Sequence, residues 1–205
     1  TSPDDLAAVL QSYSSGPKHI HIAEQPKEVV DITAWLGARP VEWLLDNVEV
    51  GKDWCLIHAT HMTDVETNNM AKSGAVAGLC PITEANLGDG PFNGPSYLAD
   101  GGAFGVGSDS NVLISLTEEL RALEYSQRLR DVARNVMVVG EGSVGDALYT
   151  GAARGGAQAL GDHLPSVETA PGIFRAESKE DVRRSTLELH QGLKVGDVVG
   201  HGGAL

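Results

Sequence analysis

The sequence has 205 residues, of which 15 are Lys or Arg and 28 are Asp or Glu, so its formal net charge is −13. This negative charge excludes a protein that binds nucleic acid through a general basic surface. With 41% hydrophobic and 21% charged residues, the composition is typical of a folded globular protein and not of a disordered chain. Neither a long uncharged apolar run nor a signal-peptide pattern is present, so we expect a cytoplasmic protein without membrane segments.

Short β-like runs alternate with amphipathic stretches, a pattern that favours parallel β/α units. Strands are predicted in chain order at 18–23, 54–59, 75–80 and 103–108. Helices are predicted at 4–13, 26–36, 40–46, 63–72, 115–134 and 143–160. Ser115 and Glu118 have capping-box spacing, whereas the glycines of the last stretch argue against a continuous helix there. We expect one domain over residues 1–160, followed by a weakly patterned C-terminal tail over residues 161–205.

The segments after the third and fourth predicted strands, 81–96 and 109–115, are rich in Gly, Pro, Asn, Asp and Ser and are predicted to be loops. Loops at the carboxyl ends of parallel strands are where α/β proteins place their functional sites. Cys55 and Cys80 lie in apolar runs, which is typical of reduced thiols buried in a core.

Polar side chains lie at the ends of three predicted strands. His21 and Glu24 end the first strand, His58 ends the second, and Asp109 ends the fourth. Neutral imidazoles with a carboxylate are the ligands of zinc-type hydrolytic centres, which keep one coordination position open for water. A glutamate near such a metal, but not bound to it, can transfer a proton. The spacing therefore predicts a metal-dependent site that contains these four residues.

Other histidines and motifs are less specific. His19 shares a strand face with His21, roughly 6.5–7 Å away, and is as compatible with packing support as with a site. His61 is predicted to lie in a loop beside the site and not to bind metal. The sequence contains no HExxH motif, and no GKS or GKT follows its Gly-rich segments, so neither a compact metal motif nor a phosphate loop is predicted.

Several segments together resemble a known family. They are HIHIAEQ (19–25), RPVEWLLDN (39–47), WCLIHATHM (54–62), CPITEANLGDG (80–90), GVGSDSNV (105–112) and EELRALEYSQRLR (118–130). In this combination they resemble the second half of the formimidoylglutamate deiminases, a family within the amidohydrolase superfamily. The resemblance extends over about residues 19–160, and CPITEANLGDG is its most specific element.

This resemblance implies the second half of a (β/α)8 TIM-type barrel, strands 5 to 8 with their helices, which is incomplete as given. It implies one divalent metal ion, most often Zn2+. The implied reaction is hydrolysis of the amidine C–N bond of N-formimidoyl-L-glutamate to N-formyl-L-glutamate and ammonia, a step of histidine degradation. The implied partner is therefore a small molecule, and the full-length protein is expected to form a homo-oligomer.

The resemblance also assigns roles to individual residues. His21 and Asp109 would bind the metal, and Asp109 would also accept a proton from the attacking water. Glu24 would protonate the departing amine, and His58 would hydrogen-bond the water or the tetrahedral centre. Candidate substrate contacts are Glu84, Asn86 and His61.

The sequence departs from this family in one important respect. Two further metal ligands are expected from an H-x-H motif on a strand that precedes the one with His21, and no such earlier strand is found here. The sequence also does not begin with Met. We therefore expect a fragment, or a split or degenerate product, that binds metal weakly and is inactive alone. Two alternatives remain: a superfamily deaminase or chlorohydrolase acting on a purine or triazine ring, against which TEANLGDG argues, and a non-catalytic barrel fragment.

Overall fold

Four parallel strands form the sheet of this protein in a computed structural model that describes residues 1–110 and 113–161. They are β1 (Lys18–Ile22), β2 (Trp54–His58), β3 (Val76–Leu79) and β4 (Ala103–Val106), and each pairs with the next in chain order. The predicted α/β class with a parallel sheet is therefore confirmed. The assignment of these strands to the second half of a barrel stays a prediction, and the predicted tail lies outside the described residues apart from Gly161.

The helices of the described segments lie between and after the strands. In chain order they are α1 (Pro3–Ser12), α2 (Pro26–Leu36), α3 (Pro40–Asn47), α4 (Asp64–Ser73), α5 (Pro81–Leu87), α6 (Gly94–Ala99), α7 (Leu116–Asp131) and α8 (Val144–Ala159). Four of them begin at a Ser or Thr whose hydroxyl accepts a backbone N–H of the first turn, namely Ser2, Thr63, Ser115 and Ser143. Across 1–110 and 113–161, no helix is both long and apolar enough to cross a membrane.

The prediction of a loop over residues 81–96 is wrong, because α5 lies within it and α6 begins in it. Pro81 occupies the first turn of α5, where its fixed φ suits the helix and its missing N–H has no cost. Gly88 ends α5 in the left-handed conformation, with φ of 73°. Pro81 and Gly88 thus mark the two ends of a helix of 7 residues. A helix this short lacks the periodicity from which helices are predicted.

Helix α8 is continuous despite its glycines. One of these glycines is required by close packing against β4. A Cβ placed on Gly155 would lie 2.0 Å from the carbonyl oxygen of Phe104 in β4. The absent side chain lets the helix backbone approach the strand backbone directly. Of the glycines that weaken the helix prediction, Gly151 and Gly155 thus pack against Phe104 of the sheet.

The hydrophobic core lies on the sheet and under the helices that cover it. Its fully buried members include Leu56, Ala77, Leu79 and Phe104 from the strands and Met70 from α4. Strands of parallel sheets are covered on their faces by helices, which explains their continuous apolar runs. Cys55 and Cys80 are buried free thiols, as predicted.

Candidate metal centre and active site

The side chain of His58 occupies the centre of the site, at the carboxyl end of β2. It is 2% exposed, and its Nδ1 lies 3.2 Å from Oε1 of Glu84 in α5. The same carboxylate oxygen accepts the backbone N–H of Cys80 at 2.9 Å. Since a carboxylate only accepts, His58 donates from Nδ1, and its Nε2 is left to face the other groups of the site.

Two further carboxylates face the Nε2 atom of His58. Oε1 of Glu24 lies 3.6 Å from it and Oδ2 of Asp109 lies 4.0 Å from it. Burial lowers the pKa of His58, but the hydrogen bond to Glu84 and the charges of Glu24, Glu84 and Asp109 outweigh burial, so the pKa is raised above its ordinary value. Residues that follow β1 and β4 therefore meet at the imidazole that ends β2.

His21 completes the cluster from β1. Its Nε2 lies 3.1 Å from Oε2 of Glu24, and its ring contacts the His58 ring edge to face, with centroids 4.8 Å apart. His21, Glu24 and His58 each offer a ligand-type atom, and these atoms lie within 4.8 Å of one another. Nitrogen and carboxylate donors at this separation suit a divalent cation such as zinc. His21 and Asp109 both lie near the ring of His58, and their predicted binding of one shared metal ion stays a prediction.

The end of β1 is fixed by Glu28, a residue that the sequence analysis did not single out. Its carboxylate accepts the backbone N–H groups of Ala23 at 2.7 Å and of Glu24 at 2.9 Å. It also lies 3.9 Å from Nδ1 of His21. The signal for Glu28 in the sequence was its position in the first turn of α2, the helix that follows β1.

The backbone itself is strained at the strand ends that carry the site. Ala23, His58, Ala59 and Asp109 have positive φ values of 52°, 70°, 48° and 48°. Residues other than glycine rarely adopt this left-handed conformation, and such residues cluster at functional sites. The same turns of the backbone explain why β1 and β2 each end one residue before the predicted boundary.

A partly buried ion pair holds the loop that follows β2. Arg39, at the start of α3, donates from Nε to Oε2 of Glu66 at 2.7 Å and from Nη2 to the carbonyl of His61 at 2.7 Å. Glu66 is 3% exposed and also accepts the backbone N–H of Thr63 at 2.7 Å. This network joins α3, α4 and the loop, and no spacing rule on the sequence would have revealed it.

The remaining candidate residues lie in different surroundings. Glu84 is buried behind His58, and His61 is half-buried with its Nε2 atom enclosed and without a hydrogen-bond partner. Asn86 is exposed on α5. His19 contacts the carbonyl of Ala159 in α8 at 2.7 Å, so of the two histidines on β1 it is His21 that reaches the cluster.

Comparison with known proteins places this arrangement in a family. Residues 1–164 match the model of the amidohydrolase family. The chain belongs to this family. This amidohydrolase chain is 54% identical over 168 residues to formimidoylglutamate deiminase of Pseudomonas aeruginosa, which confirms the predicted resemblance. That match covers 81% of this chain but 37% of the Pseudomonas protein.

Solved structures agree with the amidohydrolase assignment. An amidohydrolase from Brucella melitensis is 61% identical, with a TM-score of 0.77 over 78% of this chain and 36% of the other. An adenosine deaminase from Xanthomonas campestris with bound zinc shares the fold, with 22% identity, a TM-score of 0.67, and coverage of 77% of this chain and 35% of the other. This chain therefore spans little more than a third of the length of these relatives.

Proposed function

We propose that this chain supplies part of the active site of a metal-dependent deiminase that hydrolyses N-formimidoyl-L-glutamate to N-formyl-L-glutamate and ammonia. The observation that carries the proposal is the convergence of His21, Glu24 and Asp109 on the buried ring of His58. Identity of 54% to the Pseudomonas deiminase supports the choice of an amidine substrate.

We assign a divalent cation, most suitably Zn2+, to His21 and Asp109. One exposed imidazole and one partly exposed carboxylate suit such an ion, and Glu24 lies close enough to His21 to contact it as well. When bound, this ion supplies an activated water and polarises the amidine carbon. Because the chain spans 37% of its deiminase relative, the other ligands belong to the remaining part of the enzyme.

The residues of this chain move the protons. The reaction forms a C–O bond and breaks the bond from the amidine carbon to its terminal nitrogen. Asp109 accepts a proton from the attacking water, and Glu24 delivers a proton to the departing nitrogen, which leaves as ammonia. His58, with Nε2 3.6 Å from Glu24 and 4.0 Å from Asp109, hydrogen-bonds the groups between them.

Glu84 serves as a positioning residue in this scheme. It holds Nδ1 of the His58 ring, and is itself held by the N–H of Cys80, so the ring cannot rotate away from Glu24 and Asp109. Both of these hydrogen bonds use Oε1 of Glu84, so Glu84 also stays a candidate substrate contact. Asn86 and His61 remain candidate substrate contacts.

The test uses a chimaera in which this segment replaces the matching segment of the Pseudomonas deiminase, and it measures ammonia release from N-formimidoyl-L-glutamate. We expect metal-dependent hydrolysis that His21→Gln and Asp109→Asn reduce by about 10³-fold or more, since each removes a metal contact. His19→Gln is the matched control, because His19 binds the Ala159 carbonyl and not the site. Hydrolysis of adenosine or guanine in preference to formimidoylglutamate would overturn the substrate assignment.

The isolated chain tests the ligand assignment. Calorimetric titration with Zn2+ is expected to show weak binding, because the chain supplies two of the ligands. Tight one-to-one binding would show that the site is complete without the remaining part and would contradict this assignment.

A further inference from the structure

A cavity of about 350 Å³ lies between α8 and the start of β4. Its apolar lining includes Leu98 of α6, Phe104 of β4, and Met137 and Val139 from the segment between α7 and α8. Phe104 and Met137 are buried, whereas Val139 is 64% exposed, so the cavity has a buried apolar floor and an apolar side chain at its mouth. Cavities that bind small molecules in proteins have volumes of about 300–1,000 Å³ and a mostly apolar lining.

The cavity lies at the other end of the sheet from the metal centre. Asp109 follows the carboxyl end of β4, whereas Ala103, which lines the cavity, begins that strand. Gln158, another lining residue, donates from Nε2 to the carbonyls of Lys52 and Gly74, which precede β2 and β3. No residue of the candidate metal centre lines the cavity, so a molecule bound there would be held without any contact with that centre.

Arg154 of α8 brings a positive charge to this apolar cavity. Among the described residues that line the cavity, Arg154 is the charged one, and the others are apolar residues, glycines and Gln158. Its side chain is exposed and has no ion pair or hydrogen bond with any residue of 1–110 or 113–161. The residues four positions away on α8 are Thr150 and Gln158, so no carboxylate at that spacing pairs with it.

Other cationic side chains of the described segments do have acidic partners. Ion pairs with Asp or Glu are formed by Lys18, Lys27, Arg39, Arg121, Arg128 and Arg130. A guanidinium without such a partner is able to bind an external carboxylate through two parallel N–H···O hydrogen bonds. The net charge of −13 does not prevent this, because salt at physiological concentration largely screens exposed charges beyond about 8 Å.

We propose that the cavity binds an amphiphilic monocarboxylate, whose carboxylate pairs with Arg154 and whose unbranched aliphatic chain lies over Phe104 and Met137. An apolar cavity of about 150 Å³ holds a benzene molecule, so a cavity of about 350 Å³ suits a chain of about eight to ten carbon atoms. A neutral apolar molecule leaves the guanidinium unpaired. A carboxylate as small as acetate leaves the apolar cavity unfilled.

The probe is octanoate, titrated calorimetrically into the 205-residue chain. We expect saturable one-to-one binding that Arg154→Gln weakens by about tenfold or more, because the variant loses the charged partner of the carboxylate. Arg134→Gln is the matched control and should bind like the parent chain, since Arg134 is exposed and does not line the cavity.

A second variant fills the cavity and leaves its charge unchanged. Ala147 of α8 lines the cavity and is half-buried, so Ala147→Leu should weaken octanoate binding by about tenfold or more while keeping a strong helix former in α8. Ala153→Leu, at an exposed position of the same helix outside the cavity, is its control. Circular dichroism melting of each variant shows whether it folds.

Three further ligands separate the contributions of charge and chain. 1-Octanol has the same chain without the charge and should bind about tenfold more weakly, and acetate should show no saturable binding. Decanoate should bind about tenfold more tightly than octanoate, since each buried methylene group raises affinity by about fourfold.

Several outcomes would overturn the inference. They are no binding of octanoate to the parent chain, several octanoate molecules bound per chain, equal binding of octanoate and 1-octanol, and unchanged binding to Arg154→Gln. Unchanged binding to a folded Ala147→Leu variant would also overturn it, because the chain of the ligand would then lie elsewhere. These measurements need neither a metal ion nor the deiminase reaction, so their result is independent of the proposed function.

Discussion

Two neighbouring glycines of α8 allow a sharp test of how this helix is packed. Gly155 faces β4, where an added Cβ would lie 2.0 Å from the Phe104 carbonyl oxygen and 2.4 Å from the carbonyl carbon. Gly156 is the next residue of the same helix, and an added Cβ there would meet nothing within 4 Å. The variants Gly155→Ala and Gly156→Ala thus share the change in helix propensity and differ in the clash.

The expected magnitudes follow from these distances. Replacing a mid-helix glycine by alanine stabilises a helix by about 0.5–1 kcal/mol, which both variants gain. In Gly155→Ala the new methyl group meets backbone atoms that cannot rotate aside, so α8 must move off the sheet, at a cost of about 1–3 kcal/mol. The two free energies of unfolding should therefore differ by about 1–3 kcal/mol.

Urea unfolding followed by circular dichroism measures both free energies of unfolding. The two variants can be compared directly if the free energy falls with urea concentration at the same slope in both. Gly156→Ala should be more stable than the parent chain and Gly155→Ala less stable. A Gly155→Ala variant at least as stable as Gly156→Ala would show that α8 does not approach β4 so closely, and the placement of the strand that leads to Asp109 would need revision.

Two further predictions concern titration. In the metal-free chain, Glu84→Gln should lower the pKa of His58 in an NMR titration of its ring protons, because it removes the carboxylate that binds Nδ1, whereas exposed Glu141→Gln should not. Because the pKa of His58 is raised in the folded chain, protonation of His58 stabilises the fold fully below the unfolded pKa of about 6.5. This contribution to the free energy of unfolding is lost as pH rises through the folded pKa. The loss should be smaller in Glu84→Gln. Burial raises the pKa of Cys55 to about 11 and, with nearby carboxylates, that of Cys80 to about 12, so neither thiol should react with Ellman's reagent near pH 8 until the chain is unfolded. Rapid reaction of either thiol in the folded chain would contradict the burial of Cys55 and Cys80. A His58 pKa that is the same in the parent chain and in Glu84→Gln would contradict the contact between Glu84 and His58.

The strands and most helices could be predicted because their signals are local. Apolar runs, prolines at first turns and capping hydroxyls place β1 to β4 and the longer helices within a few residues. The short helix α5 was not predicted because Pro81 at its start and Gly88 after its end also suit a loop. The prediction for α8 was uncertain because a glycine lowers helix propensity wherever it lies, and the sequence does not show that β4 packs against Gly155.

The residues of the candidate site also divide into those that have a local signal in the sequence and those that do not. His21, Glu24, His58 and Asp109 could be singled out because polar residues at the ends of parallel strands share one edge of the sheet. Glu28 and Arg39 could not, because their roles depend on contacts with backbone groups or side chains from other elements. Such contacts depend on tertiary packing and leave no fixed spacing in the sequence.

The crowding of acidic groups around His58 has a consequence for the kind of ion that the site attracts. Three carboxylates, from Glu24, Glu84 and Asp109, surround a single imidazole. Their negative potential attracts cations and repels anions. We therefore expect the affinity of the chain for a divalent cation to fall as the salt concentration rises.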